Sequence, residues 1–115
     1  MTKDVDLNSV LHPRETALVG RENGESILSK LKKAGYDFES LESQHDKIAI
    51  IIPDRIVSIN KSYFLGLFET AVERLGKDTF KEKYEFITTE HIKEKIQKHI
   101  EAATLNATQG EILDV

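Results

Sequence analysis

Ile48-Ala49-Ile50-Ile51-Ile52-Pro53-Asp54-Arg55-Ile56-Val57-Ser58-Ile59-Asn60-Lys61-Ser62-Tyr63-Phe64-Leu65-Gly66-Leu67-Phe68-Glu69-Thr70-Ala71-Val72-Glu73-Arg74-Leu75 is the stretch that decides the fold. Ile48–Ile52 is an unbroken apolar run of strand length, as expected of a fully buried strand. Pro53 ends it, because proline supplies no ladder donor. A polar loop follows, with Asn60 or Ser58 placed to cap a helix. Phe64, Leu67, Phe68, Ala71, Val72 and Leu75 then recur at helical spacing, and Gly76 stops the pattern. Strand, loop and amphipathic helix make half of a βαβ unit.

Weaker strand and helix signals flank this stretch on either side, without an internal repeat. Upstream, Thr16–Val19 is a candidate strand and Gly20-Arg21-Glu22-Asn23-Gly24 is turn chemistry, with Asn23 as a candidate cap. Ile27, Leu28, Leu31 and Ala34 predict a helix that ends at Gly35. Residues 36–46 are mixed, and Phe38 and Leu41 fit a short strand or a core plug. Downstream, Tyr84–Thr88 predicts a strand. Ile92, Ile96, Ile100 and Ala103 predict a helix capped by Thr88 or Thr89. Val10–Pro13 is a candidate edge element, since Pro13 excludes a central strand. The resulting division is an extension or edge strand at 1–15, an α/β domain at 16–103 and a tail at 104–115, in which Ile112, Leu113 and Val115 are apolar enough to dock. Alternating strands and helices imply parallel pairing with right-handed crossovers. The expected fold is a small α/β domain: about three to five strands in a mostly parallel or mixed sheet, with about three helices packed on it.

The totals bound function. The chain has 115 residues, 39% hydrophobic and 31% charged, which suits one globular domain. No apolar run approaches the roughly 20 residues of a membrane span, and the polar start is unlike a secretory signal. No cysteine is present, which removes disulfides, thiol catalysis and thiolate metal sites. The cytoplasm is the expected compartment. Twenty acidic against 16 basic residues give a net charge of −4, which argues against general nucleic-acid binding. Lys93, Lys95 and Lys98 alternate with Glu94 and Glu101, as on a solvated helix face.

Two segments carry a likeness to a known family. Val19-Gly20-Arg21-Glu22-Asn23-Gly24-Glu25-Ser26-Ile27-Leu28 resembles the Arg-containing entry to the first helix of the STAS-like domains of unknown function. Ile50–Gly76 resembles the same family, above all Ile56–Phe64, Leu67-Phe68 and Leu75-Gly76. These domains are relatives of the STAS domain of anti-sigma-factor antagonists and sulfate-transporter tails, and the likeness runs from Val19 to about Ile100. In the STAS family, a serine in an Asp-Ser-Ser-Gly motif at this helix start is phosphorylated by a partner kinase, which breaks a protein complex. Ser62 matches that serine. Asn60 stands at the acidic place, Lys61 replaces the first serine and Tyr63 replaces the glycine. The resemblance implies a non-enzymatic interaction or regulatory module, with a kinase-type ATPase or another signalling protein as partner. Homo-oligomerisation stays open.

The residues supply their own candidates. Ser62 lies in the first helical turn, where exposed N–H groups and the helix dipole favour an added phosphate. At about 100° per residue, Gly66 falls opposite the apolar stripe, near Ser62, Glu69 and Glu73. A helix-interior glycine costs about 1 kcal/mol, so an exposed Gly66 reads as a place where a partner backbone approaches. The expected partner surface is Arg21, Asp54, Ser58, Asn60, Lys61, Ser62, Gly66 and Glu69. Arg21 is expected to bridge to an acid such as Asp54. A small mobile-element or phage-encoded inhibitor, binding a host protein through an acidic surface, is the alternative. An enzyme or nucleotide binder using Arg21, Asp54 and Ser62 is a third class. Residues Gly20–Gly24 match neither phosphate-loop pattern, and the receiver-domain reading of Asp54 lacks its acidic pair and strand lysine. The histidines at 12, 45, 91 and 99 are scattered, and His91 with Glu94 supplies too few ligands for a metal. No cofactor, metal or catalytic residue is expected.

Overall fold

The computed structural model describes the backbone of residues 1–113 and the side-chain surroundings of residues 1–103. It is an α/β domain with five helices and two small parallel sheets. In chain order these are β1 (Thr2–Asp6), β2 (Ala17–Leu18), α1 (Arg21–Lys33), α2 (Phe38–Gln44), β3 (Lys47–Ile51), β4 (Ser58–Ile59), α3 (Lys61–Leu75), α4 (Lys77–Lys83), β5 (Tyr84–Ile87) and α5 (Glu90–Leu113). The larger sheet has the order β1-β3-β5, and β2 pairs with β4 in the smaller one. Every pairing is parallel, as alternating strands and helices predict. No helix among the described residues is long and apolar enough to cross a membrane.

The central strand forms where the isoleucine run predicts it. Ile48 and Ile50 are fully buried, facing Val5 on one side and Tyr84 and Phe86 on the other. On the opposite face of β3, Ala49 is buried and Ile51 only half-buried, so the two faces are unequally covered. The edge strand lies at Thr2–Asp6 rather than at Val10–Pro13. Its one deeply buried residue, Val5, leaves no alternation for a sequence reading to detect. Residues 38–44 form a helix in place of the short strand, burying Phe38, Leu41 and Glu42. The helix α4 was not expected, because Phe80 is its only buried residue. The helix α1 begins at Arg21, three residues earlier than an Asn23 cap would allow, with Gly20 as its N-cap. Asn23 instead donates from its side chain to the Val19 carbonyl at 2.7 Å. Thr89 caps α5, accepting from the Ile92 N–H at 3.4 Å. That helix continues through the expected tail to Leu113, and docking by Ile112, Leu113 and Val115 lies outside the described side chains.

The core is an aromatic cluster built by α3. Phe64 and Phe68 reach Phe38 of α2, Phe80 of α4, and Tyr84 and Phe86 of β5, with ring centroids 5.2–6.5 Å apart among the contacts they make. Arg55 ties down the N-terminal segment. Its guanidinium donates to the carbonyls of Glu15 and His12 at 3.0 Å and to Asn8 Oδ1 at 2.6 Å.

Candidate functional site

Asn60 joins the starts of two helices. Its Oδ1 accepts from the Tyr63 N–H at 2.9 Å, capping α3, and from the Gly20 N–H at 3.2 Å, at the entry to α1. Its own N–H donates to the Leu18 carbonyl at 2.9 Å. Asn60, not Ser58, is therefore the cap; Ser58 lies half-buried in β4, paired with Ala17. Lys61 and Ser62 follow as the first two residues of α3, and both side chains are exposed. Asp54 is exposed in the turn that the Ile56 N–H closes on the Pro53 carbonyl at 3.1 Å.

Arg21 pairs with Glu69 and not with Asp54. The two guanidinium nitrogens lie 3.1 and 3.2 Å from the two carboxylate oxygens. The Arg21 pKa is raised, chiefly by that hydrogen bond and then by the Glu69 charge. Both side chains remain open to solvent, so the pair orients α1 against α3 more than it stabilises the fold.

Gly66 does not belong to this surface. It is buried under α1, and a Cβ built on it would overlap the Arg21 carbonyl oxygen and lie 3.1 Å from the Glu25 nitrogen. The approach is reciprocal: a Cβ on Gly24 would overlap the Tyr63 carbonyl oxygen and lie 3.0 Å from the Leu67 nitrogen. The two glycines let the helix backbones touch. The expectation of an exposed glycine awaiting a partner is overturned, because the partner is the chain's own first helix. Ser62, Lys61, Arg21 and Glu69 remain at the surface, while Asn60 works within the fold.

The structure also brings together a group the sequence reading missed. Glu42 on α2 is 9% exposed and accepts from Arg74 of α3 at 2.7 and 2.8 Å and from the Tyr84 hydroxyl of β5. Burial, and then the Glu42 bond, holds the Tyr84 hydroxyl protonated far above its ordinary range. The available signal was a charged residue at i, i+3, i+4 spacing with Phe38 and Leu41, which places Glu42 on an apolar stripe. All three members are tied to each other through Glu42, so the cluster reads as a structural pin between α2, α3 and β5. Glu42→Ala leaves a part-buried guanidinium and a buried hydroxyl unpaired, and the expected loss is about 3 kcal/mol in urea unfolding. Glu42→Met with Arg74→Met and Tyr84→Phe, which leaves no member of the cluster unpaired, should recover most of that loss. A single-variant loss below about 0.5 kcal/mol would remove the pin.

The histidines are dispersed. His99 Nε2 lies 2.9 Å from the Ile59 carbonyl oxygen, while His91 is exposed on α5. Among the described residues, no group of three or more His, Cys, Asp or Glu could hold a metal ion. A cleft of about 420 Å³ lies away from Ser62, between β5 and α5, where Lys47, Lys81 and Lys93 face Glu85, Glu90 and Glu94. No family model, curated protein or solved structure matches the chain.

Proposed function

We propose that the domain is a non-enzymatic interaction module, STAS-like in kind, that binds a signalling protein through the loop Asp54–Asn60 and the start of α3. The single observation in support is the exposed Lys61-Ser62 pair on a helix start held in place by Asn60. The Asn60 bonds fix the orientation of that turn relative to α1, so a partner meets a preformed surface. A phosphate on Ser62 would add about −1.5 to −2 charges at the positive end of α3, stabilising the helix while repelling an acidic partner or recruiting a basic one. A kinase-type ATPase in the cytoplasm is the partner class this reading favours.

Ser62→Asp imitates part of that charge. It should keep the parent melting temperature within a few degrees, because a carboxylate at a helix start contributes about 0.3–1 kcal/mol in the favourable direction. Affinity recovery from the native host with parent, Ser62→Ala and Ser62→Asp baits then reads the surface. One protein should be retained by parent and Ser62→Ala and lost with Ser62→Asp. Equal recovery by all three, and by Lys61→Glu, would end the proposal.

A further inference from the structure

The two faces of the larger sheet differ in burial. All three strands are parallel, and the order β1-β3-β5 moves in one direction across the sheet. Successive right-handed crossovers then place their helices on the same face. That face carries Val5, Ile48, Ile50, Tyr84 and Phe86, all buried. The strand register assigns the other face without ambiguity. One cross-strand row is Asp4, Ala49 and Glu85, and the next is Asp6, Ile51 and Ile87. Asp4, Asp6 and Glu85 are exposed, Ile51 is half-buried and Ile87 is 44% exposed. Ala49, in the middle strand, is buried at 4% exposure. At the β5 margin, Glu85 also borders the cleft beside α5, together with Lys47.

This arrangement departs from the rule for parallel sheets, which are ordinarily covered by helices on both faces. Three strands at about 4.8 Å spacing make a strip about 10 Å wide, the width of a single α-helix. The chemistry of the strip is patterned across that width. Apolar Ala49 and Ile51 run down the centre and Ile87 extends them to the β5 side. Carboxylates stand on both margins, Asp4 and Asp6 on β1 and Glu85 on β5. Among the described residues, the one strand cation on this face is Lys47, at the start of the middle strand, opposite Thr2.

From this pattern we infer that the open face of the sheet docks an amphipathic helix of a partner protein, apolar along its centre and carrying Lys or Arg on both flanks. Charge complementarity selects this occupant over two others. A second copy docked through the same face would set Asp4, Asp6 and Glu85 against their own counterparts. The chain's own sequence from Thr104 to Val115 contains Glu111 and Asp114 and no lysine or arginine, so it would add charge of the same sign. The surface is separate from Ser62 and the start of α3, and neither proposal depends on the other.

A photo-cross-linking amino acid at Ile87 of the full chain, expressed in the native host, tests the inference. The exposure of Ile87 leaves the core intact, and a second probe at exposed Ser29 on α1 serves as the background. Mass mapping of the cross-linked peptide should return a segment of another protein with net positive charge and apolar residues at three- and four-residue spacing. The yield should fall at least tenfold with Asp4→Lys and Glu85→Lys together, and should fall likewise in 1 M salt, where the Debye length is about 3 Å. A cross-link to a second copy or to this chain's own C-terminal residues would overturn the inference. So would an acidic or strand-patterned segment, a yield indifferent to charge reversal, or a yield no greater than at Ser29.

Discussion

Gly66→Ala is expected to destabilise the protein by about 3 kcal/mol or more, although it replaces a poor helix former with the best one. On a solvent-facing helix the same change would contribute about 1 kcal/mol of stability. The sign is reversed because the new methyl has nowhere to go: it would overlap the backbone carbonyl of Arg21, which cannot rotate away as a side chain would. Gly66 also has no positive φ, so the loss is steric and not conformational. Helices α1 and α3 would have to separate, loosening Ile27 and Leu31 from the core. Gly24→Ala should behave alike, for the reciprocal overlap with the Tyr63 carbonyl. Gly66→Arg should not fold at all. Urea unfolding of the two alanine variants provides the measurement, and a loss under about 1 kcal/mol in both would mean that the helices do not cross as closely as described.

Phe68→Ala is expected to cost about 4–5 kcal/mol, near the top of the range for a buried aromatic residue. Phe68 is 1% exposed and meets five other rings. It stacks on Phe38 at 5.4 Å and 5°, and meets Phe86 edge-on at 5.4 Å and 87°. These contacts join α2, α3, α4 and β5, so the cavity left by alanine opens at the point where four elements converge. The surrounding rings are rigid and collapse poorly into such a space. Against a typical total of about 5–15 kcal/mol, the variant should show a large drop in urea midpoint with an unchanged slope. A loss below about 1 kcal/mol would show that Phe68 is not at the centre of the core.

Local pattern alone makes β3 and α3 legible. Isoleucines in series and a stripe at helical spacing are signals contained within a few residues. Parallel pairing also follows, because short strands separated by helices permit little else. The β1 strand escapes a sequence reading because Thr-Lys-Asp-Val-Asp lies at an edge with one face in water, so only Val5 records its burial. The α4 helix escapes it because a single phenylalanine has no period.

Of the candidate surface, the sequence identified the exposed helix start at Lys61-Ser62 and named Asn60 as one of two caps, but it misplaced Gly66. The helical wheel assumed that α3 has one buried face, whereas six consecutive residues, Tyr63 to Phe68, are buried because α1 covers the side away from the sheet. What the sequence by itself determined is the set of short-range decisions: where the chain turns, which segments are apolar, and that strands and helices alternate. Only the tertiary structure decided which helix faces touch, that Arg21 meets Glu69, that Glu42 collects Arg74 and Tyr84 from 32 and 42 residues away, and that Asp4, Asp6, Glu85 and Ile87 stay exposed on one face of the sheet. The physical reason is range: hydrogen bonding and periodicity act between neighbours in the chain, whereas contact between helices and the sign of charge around a site depend on residues that only folding brings together.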